Sequence, residues 1–248
     1  MSDGTDLSAV RIVLSQTSHP GNIGAAARAM KTMGLSQLYL VRPKQYPHDD
    51  AAALASGADD ILSRAVVCDS LDDALTGTVM AVAATARNRD LSHEVVACRE
   101  ACRRLVGEVL RGEVAIVFGT ERTGLTIAEV NKCGLIATIP TGREYASLNL
   151  AQAVQVFAYE MRMAADVPER EAPPEVGARP GVNVATHDEV ERFYEHLASV
   201  LVETQFLDPA QPGRLMQRLR RLFARARLEK EEVNILRGIL SAVQGKGQ

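Results

Sequence analysis

The sequence predicts an α/β protein built on a parallel sheet, followed by a small all-helical extension. Three patterns carry that prediction. Short, almost purely apolar runs at residues 10–14, 79–84, 114–118 and 135–139 alternate with stretches of helical spacing, as strands do when helices cover both faces of a parallel sheet. Polar loops follow these runs, and the carboxyl ends of such strands are where α/β sheets bind ligands. Over residues 166–181 the character changes to four prolines, several charges and little periodicity, which reads as a linker before helical spacing resumes.

Residues 10–14 form the first expected strand, and S-Q-T-S-H-P-G leads from it into a helix over 22–33. Gly24, Ala25, Ala26, Ala27 and Ala29 let another helix approach this one closely, within the chain or across a dimer, and Gly34 closes it. A strand over 38–41, a loop over 42–48, a short Ala-rich helix over 51–55 and a strand over 65–68 come next. S-L-D-D-A-L begins a brief helix whose first turn suits Ser70 and Asp73. The strand at 79–84 runs into T-A-R-N-R, 95–110 is read as a helix, and a short helix over 127–131 follows the strand at 114–118. The stretch L-I-A-T-I-P-T-G-R-E-Y-A-S-L-N-L (135–150) holds a strand stopped by Pro140, a polar loop, and the start of a helix. That helix sets Leu150, Val154, Phe157, Ala158 and Met161 on one side, and Ser147 suits its N-cap. Thr186 and Glu189 make a T-x-x-E capping box for a helix to about Phe206, with further helices over 214–228 and 231–243. The expected division is a domain over 1–165, a linker over 166–185 and a helical unit over 186–248.

Composition excludes several classes. Apolar residues make up 46% and charged residues 24%, as in ordinary globular domains, and the net charge of -3 argues against a uniformly basic nucleic-acid binder. Aromatic content is 4% with no Trp, too little for a platform of stacked bases. Cys68, Cys98, Cys102 and Cys133 form no C-x-x-C pair and the histidines no H-E-x-x-H, so no metal is expected and the cysteines suit a reducing cytosol. The start, M-S-D-G-T-D-L, lacks a secretory pattern and no apolar run approaches a membrane span, so a cytoplasmic protein is expected.

The polar loops lack the full signatures of three common chemistries. Gly119 and Gly124 have the outer spacing of a phosphate loop, but Leu125 stands where its lysine belongs. No G-x-G-x-x-G follows a strand, and Ser147 lacks the G-x-S-x-G of a serine hydrolase. In the C-terminal part Arg214, Arg218, Arg221 and Arg225 make one stripe at helical spacing, with Arg220 and Arg227 beside it and no acid between 214 and 227. Such a stripe is either a solvated face or a seat for RNA phosphates.

Three ordered motifs and the tail resemble a known family. N-I-G-A-A-A-R-A-M-K-T-M-G-L, V-A-I-V-F-G-T-E-R-T-G-L, E-Y-A-S-L-N-L-A-Q-A-V-Q-V and L-R-R-L-F-A-R-A-R with N-I-L-R-G-I-L are similar to the SPOUT class of RNA 2'-O-ribose methyltransferases, the tail to its bacterial tRNA-modifying branch. The resemblance implies a deep trefoil knot in the C-terminal part of the sheet, S-adenosylmethionine as cofactor, a homodimer, and methylation of nucleotide 32 in the tRNA anticodon stem-loop. It implies Asn22, Arg28, Glu121, Ser147 and Asn149 as catalytic-motif residues. The cofactor is expected against Ala84, Thr85, Ala86, Gly119, Glu121, Ile139, Ala146, Ser147 and Leu148. Arg87, Arg89, Arg122 and Arg143 would border the site as RNA contacts, and Arg214, Arg218, Arg221 and Arg225 would hold the stem. A guanidinium stays protonated, so Arg28 is read as clamping a phosphate and stabilising the forming alkoxide; the plain alternative is a surface arginine near a helix end. Glu121 reads as an anchor or, more plainly, as an acid at a helix start. The competing functions are a ribosomal RNA 2'-O-methyltransferase, a non-catalytic RNA-binding knotted protein and a doubly wound nucleotide-dependent enzyme.

Overall fold

The computed structural model describes residues 5–86, 94–142, 146–166 and 183–245. The chain separates into two compact units, residues 1–176 and 177–248.

The first unit is a seven-stranded sheet in which every pairing is parallel. Its strands are β1 (Val10–Ser15), β2 (Gln37–Val41), β3 (Val66–Cys68), β4 (Thr78–Ala84), β5 (Val95–Ala97), β6 (Glu113–Phe118) and β7 (Leu135–Thr138). The helices between and after them are α1 (Pro20–Thr32), α2 (Asp49–Ala55), α3 (Asp59–Ser63), α4 (Leu71–Leu75), α5 (Cys98–Val109), α6 (Ile127–Val130) and α7 (Leu150–Ala165). Spatial order is β3-β2-β1-β6-β4-β7-β5, so β6 enters between β1 and β4, and β7 between β4 and β5.

Alternation along the strands feeds two cores. Ile12, Leu14, Val82, Ile116 and Phe118 face the core under α1, α5 and α7, while Val13, Ala83, Ala115 and Val117 face the one under α4 and α6. The small residues of α1 make a close helix contact within the chain. A Cβ on Gly24 would stand 2.0 Å from the Ala51 carbonyl oxygen of α2, so only hydrogen fits there. Arg11, 6% exposed, is the charge that the second core must accommodate. It pairs with Glu113, donates to the carbonyls of Ala74 and Thr76 at 2.9 Å each, and lies over the Tyr39 ring.

Two expectations change here. Residues 95–97, read as the first turn of a helix, are strand β5, paired with β7 through Val95↔Ile136. Two adjacent valines favour extended backbone, and the helix begins only at Cys98. The helix α3 was not expected from the sequence at all; its five residues are too few to show a period.

The second unit holds α8 (His187–Glu203), α9 (Leu215–Ala226) and α10 (Lys230–Gln244) around Phe193, Tyr194, Leu228 and Val233. Phe193 and Phe223 meet edge to face with centroids 4.9 Å apart. The Glu189 carboxylate accepts from the Thr186 amide at 3.0 Å, as the capping box requires. The linker expected to reach residue 185 ends sooner. Ala185 is buried and its amide donates to Leu228 O, while the Lys230 amide donates to Asn183 O. Residues 183–185 therefore belong to the helical unit.

Candidate active site

The loops that follow β1, β4, β6 and β7 leave the same edge of the sheet, because parallel strands bring all their carboxyl ends together. The loop after β6 turns back on itself. The Gly124 amide donates to Thr120 O at 2.9 Å, and Gly124 has φ +67°, a conformation glycine adopts without strain. Gly119 is buried against that turn. A Cβ there would lie 2.2 Å from both the Gly124 carbonyl carbon and the Leu125 nitrogen.

This turn carries Glu121 to the start of α1. Its Oε2 accepts from the Ser18 amide at 3.0 Å and the Ser18 hydroxyl at 2.6 Å, and its Oε1 from the His19 amide at 3.2 Å and Asn22 Nδ2 at 2.9 Å. His19, the N-cap residue of α1, caps nothing with its own side chain, so the carboxylate serves the helix start from 102 residues away. Burial works against ionisation, but the donors from Ser18 and Asn22 outweigh it and hold the carboxyl at about 2. With four donors on two oxygens, Glu121 is ionised and fully engaged at neutral pH, which fits an anchor and not a proton carrier.

Asn149 extends the network. Its Nδ2 donates to Asn22 Oδ1 at 2.9 Å, and its Oδ1 accepts from the amides of Ala151 at 2.9 Å and Gln152 at 3.4 Å. Asn149 is therefore the N-cap of α7, the position expected for Ser147. Ser147 instead stands two residues before the cap, exposed at the mouth of a cleft.

The cleft is open to solvent and, counted with that open space, measures about 770 Å³. Ala84, Thr85 and Ala86 line it from the end of β4, Gly119 and Glu121 from the loop after β6, and Ile139, Ala146, Ser147 and Leu148 from the segment before α7. All nine residues expected around the cofactor thus share one cavity. The Thr85 amide donates to Ala137 O at 3.0 Å, which fixes the first of these segments. Sequence reasoning missed the apolar wall of Phe118, Leu150 and Phe157. Phe118 and Phe157 meet edge to face at 5.4 Å, and both read as ordinary core positions.

Arg28 does not join this group within one chain. It lies six residues after Asn22 on α1, about 9 Å along the axis and roughly 240° around it. It is exposed and has no side-chain partner among the described residues. Of the expected RNA contacts, Arg122 is exposed at the tip of the β6 loop and lines the cleft. Arg87, Arg89 and Arg143 lie outside the described residues. On α9 and at its N-cap, Arg214, Arg218 and Arg225 are exposed and Arg221 is half-buried. Arg220 is compensated after all: it pairs with Glu191 of α8 and lies over the Tyr194 ring at 4.3 Å. Among the described residues no three His, Cys, Asp or Glu side chains group to hold a metal ion, and no helix is long and apolar enough to cross a membrane.

The motif loops, the all-parallel sheet and the glycine-backed cleft define an α/β protein with a ligand cleft at the carboxyl ends of its strands, and comparison with known proteins gives the family. Residues 9–159 match the SpoU rRNA Methylase family and residues 188–248 match the tRNA methyltransferase TrmJ, C-terminal domain. The chain belongs to the SpoU methylase family, with the TrmJ C-terminal domain appended. It is 50% identical over 241 residues to the tRNA (cytidine/uridine-2'-O-)-methyltransferase TrmJ of Pectobacterium atrosepticum, covering 95% of this chain and 96% of that protein. The crystal structure of TrmJ from Z. mobilis ZM4 superposes with TM-score 0.82 at 32% identity, covering 94% of this chain and 98% of that one. A structure described as giving insights into the 2-OH methylation of C/U34 on tRNA superposes with TM-score 0.51 at 27% identity. It covers 95% of that chain but 62% of this one.

Proposed function

We propose that this protein methylates the ribose 2'-hydroxyl of a cytidine or uridine at position 32 in the tRNA anticodon loop, working in the cytoplasm as a homodimer. S-adenosylmethionine is the methyl donor, and when bound it supplies an electrophilic methyl group. The observation that carries the reading is the convergence of all nine expected cofactor residues on one cleft beside the Asn22–Glu121–Asn149 network.

The residues present fit such a donor. The cleft pairs an apolar wall of Phe118, Leu150 and Phe157 with the polar residues Thr85 and Ser147. Gly119 lets the turn over residues 120–125 close against the strand end that lines the cleft. Methyl transfer is an in-line displacement, so positioning contributes much of the rate. Glu121 holds the start of α1 and Asn22; Asn22 holds Asn149; Asn149 caps α7, whose preceding segment carries Ser147 and Leu148 to the cleft. No group in this network moves a proton at neutral pH. Arg28, permanently charged, clamps the phosphate beside the target sugar and stabilises the forming alkoxide. Since one chain keeps Arg28 apart from Asn22, this role falls to the Arg28 of a second copy. The order of the strands, with β6 and β7 inserted between earlier ones, fits passage of the C-terminal segment through a loop of the sheet.

Position 32 is favoured over 34 because the C34/U34-associated structure covers 62% of this chain, whereas residues 188–248 here match the TrmJ C-terminal domain and carry an arginine stripe. Ribosomal RNA is the second reading, supported by the name of the family matched at residues 9–159. Mass-spectrometric mapping of ribose methylation in tRNA and ribosomal RNA, from cells with and without the gene, tests both. Loss of the methyl group at tRNA nucleotide 32 alone is expected; loss confined to ribosomal RNA would replace this reading with the second.

A further inference from the structure

Most described cations of the first unit pair with an acid: Arg11 with Glu113, Lys31 and Arg64 both with Asp60, Arg99 with Glu160, and Lys132 with Asp72. Arg42 and Lys44, both exposed, have no side-chain partner among the described residues. They stand in R-P-K-Q-Y-P-H, which contains no acid; the next two, Asp49 and Asp50, lie in the first turn of α2, where free amides favour negative charge.

Backbone hydrogen bonds fix this loop beside the active site. The Gln16 amide donates to Val41 O at 2.8 Å and the Lys44 amide to Thr17 O at 3.0 Å. Ser18, the next residue, donates twice to Glu121. Gln16 and Arg42 each follow a strand end with a left-handed backbone, φ +53° and +44°. Side-chain-bearing residues adopt that conformation at a cost, which persists where the surrounding structure enforces it.

We propose that Arg42 and Lys44 hold backbone phosphates of the RNA that flank the nucleotide entering the cleft, so that the footprint of the first unit extends across the end of β2. This rests on the RNA reading above. It assigns binding to a loop that none of the methyltransferase motifs includes. Two unpaired cations on a segment bonded to the Ser18–Glu121 loop suit a polyanion that must pass over that edge to place one sugar in the cleft.

The test uses the full chain carrying Arg42→Gly, which keeps the left-handed backbone without strain, together with Lys44→Ala. Affinity for tRNA is measured across a salt series, and S-adenosylhomocysteine affinity reports on the integrity of the cleft. Two lost phosphate contacts should weaken tRNA binding about 10-fold at moderate salt and reduce the slope of log affinity against log salt by about 1.4. Lys44→Arg alone should retain both, and S-adenosylhomocysteine affinity should not change. Should the double variant lose thermal stability, Lys44→Glu alone replaces it, and tRNA affinity must then fall. Unchanged affinity and slope, with the unmodified chain binding tRNA, overturn the loop assignment and leave the RNA reading standing. An unmodified chain that binds no tRNA overturns both.

Discussion

Asn22 and Asn149 lie 127 residues apart in sequence and share a hydrogen bond of 2.9 Å, which couples the start of α1 to the start of α7. Each has a second duty: Asn22 donates to Glu121, and Asn149 caps its own helix. Residues from a loop and from the starts of two helices thus form one polar chain alongside the cleft. Losing one member should therefore disturb helix starts as well as the site. Asn149→Ala is expected to lower stability by about 1 kcal/mol through the lost cap and to reduce S-adenosylhomocysteine affinity, both readable in one thermal-shift titration. Asn149→Ser should restore the cap but not the bond to Asn22. A variant with unchanged ligand affinity would separate the cap from the site.

Glu121 gives this chain a pH signature. Its folded-state carboxyl is held at about 2 against an ordinary value near 4.5, so its contribution is complete above the ordinary value and is lost as pH falls from about 4.5 toward 2. The group is only partly buried, so after allowing for solvent screening the contribution is on the order of 1 kcal/mol. Thermal unfolding across that window should show the unmodified chain losing stability more steeply than Glu121→Gln. Parallel curves would mean that the four donors do not distinguish the two protonation states.

Gly119, which lines the cleft, and Gly142, exposed in the segment after β7, make a controlled pair. A methyl at Gly119 meets main-chain atoms at 2.2 Å, whereas one at Gly142 meets nothing within 4 Å. Gly119→Ala should cost about 1–3 kcal/mol and abolish measurable S-adenosylhomocysteine binding; Gly142→Ala should change neither. Binding retained in Gly119→Ala would show that the turn relaxes around the methyl.

The order of strands and helices was legible because apolar period and loop chemistry agree along the first unit. What failed had too little sequence to carry a period, as at residues 95–97 and 59–63, or depended on distant partners. The insertion of β6 between β1 and β4 is a non-local pairing with no trace in either strand's residues. Arg220 looked like part of a bare cationic stripe because its acid, Glu191, sits on another helix. The residues expected around the cofactor came from motif resemblance and not from periodicity. Phe118 and Phe157 were read as core, and they are core, but one edge of each forms the cleft wall.

The arginines of α9 divide by environment, and their variants should divide the same way. Arg214, Arg218 and Arg225 are exposed, so changing all three to Ala should leave stability within about 0.5 kcal/mol and reduce tRNA affinity and its salt slope. Arg220→Ala strips Glu191 of its partner and uncovers Tyr194, and should lower the stability of the helical unit by about 1–3 kcal/mol. Circular dichroism melts beside filter binding would distinguish the two. The reverse pattern would make the stripe structural and Arg220 the RNA contact.

Arg28 tests the dimer. If it serves the cleft of the partner copy, Arg28→Ala and Gly119→Val homodimers are each inactive for different reasons. Each mixed dimer then contains one cleft with both defects and one with neither. With half the dimers mixed and one working site in each, methyl transfer to tRNA should recover to about a quarter of the unmodified rate once subunits have exchanged. Size-exclusion chromatography with light scattering should show two chains per particle throughout. If Arg28 instead acts within its own chain, every cleft in the mixed dimer carries one defect and the mixture stays inactive. α1 would then have to rotate by about a third of a turn to bring Arg28 to the side of the helix where Asn22 meets Glu121.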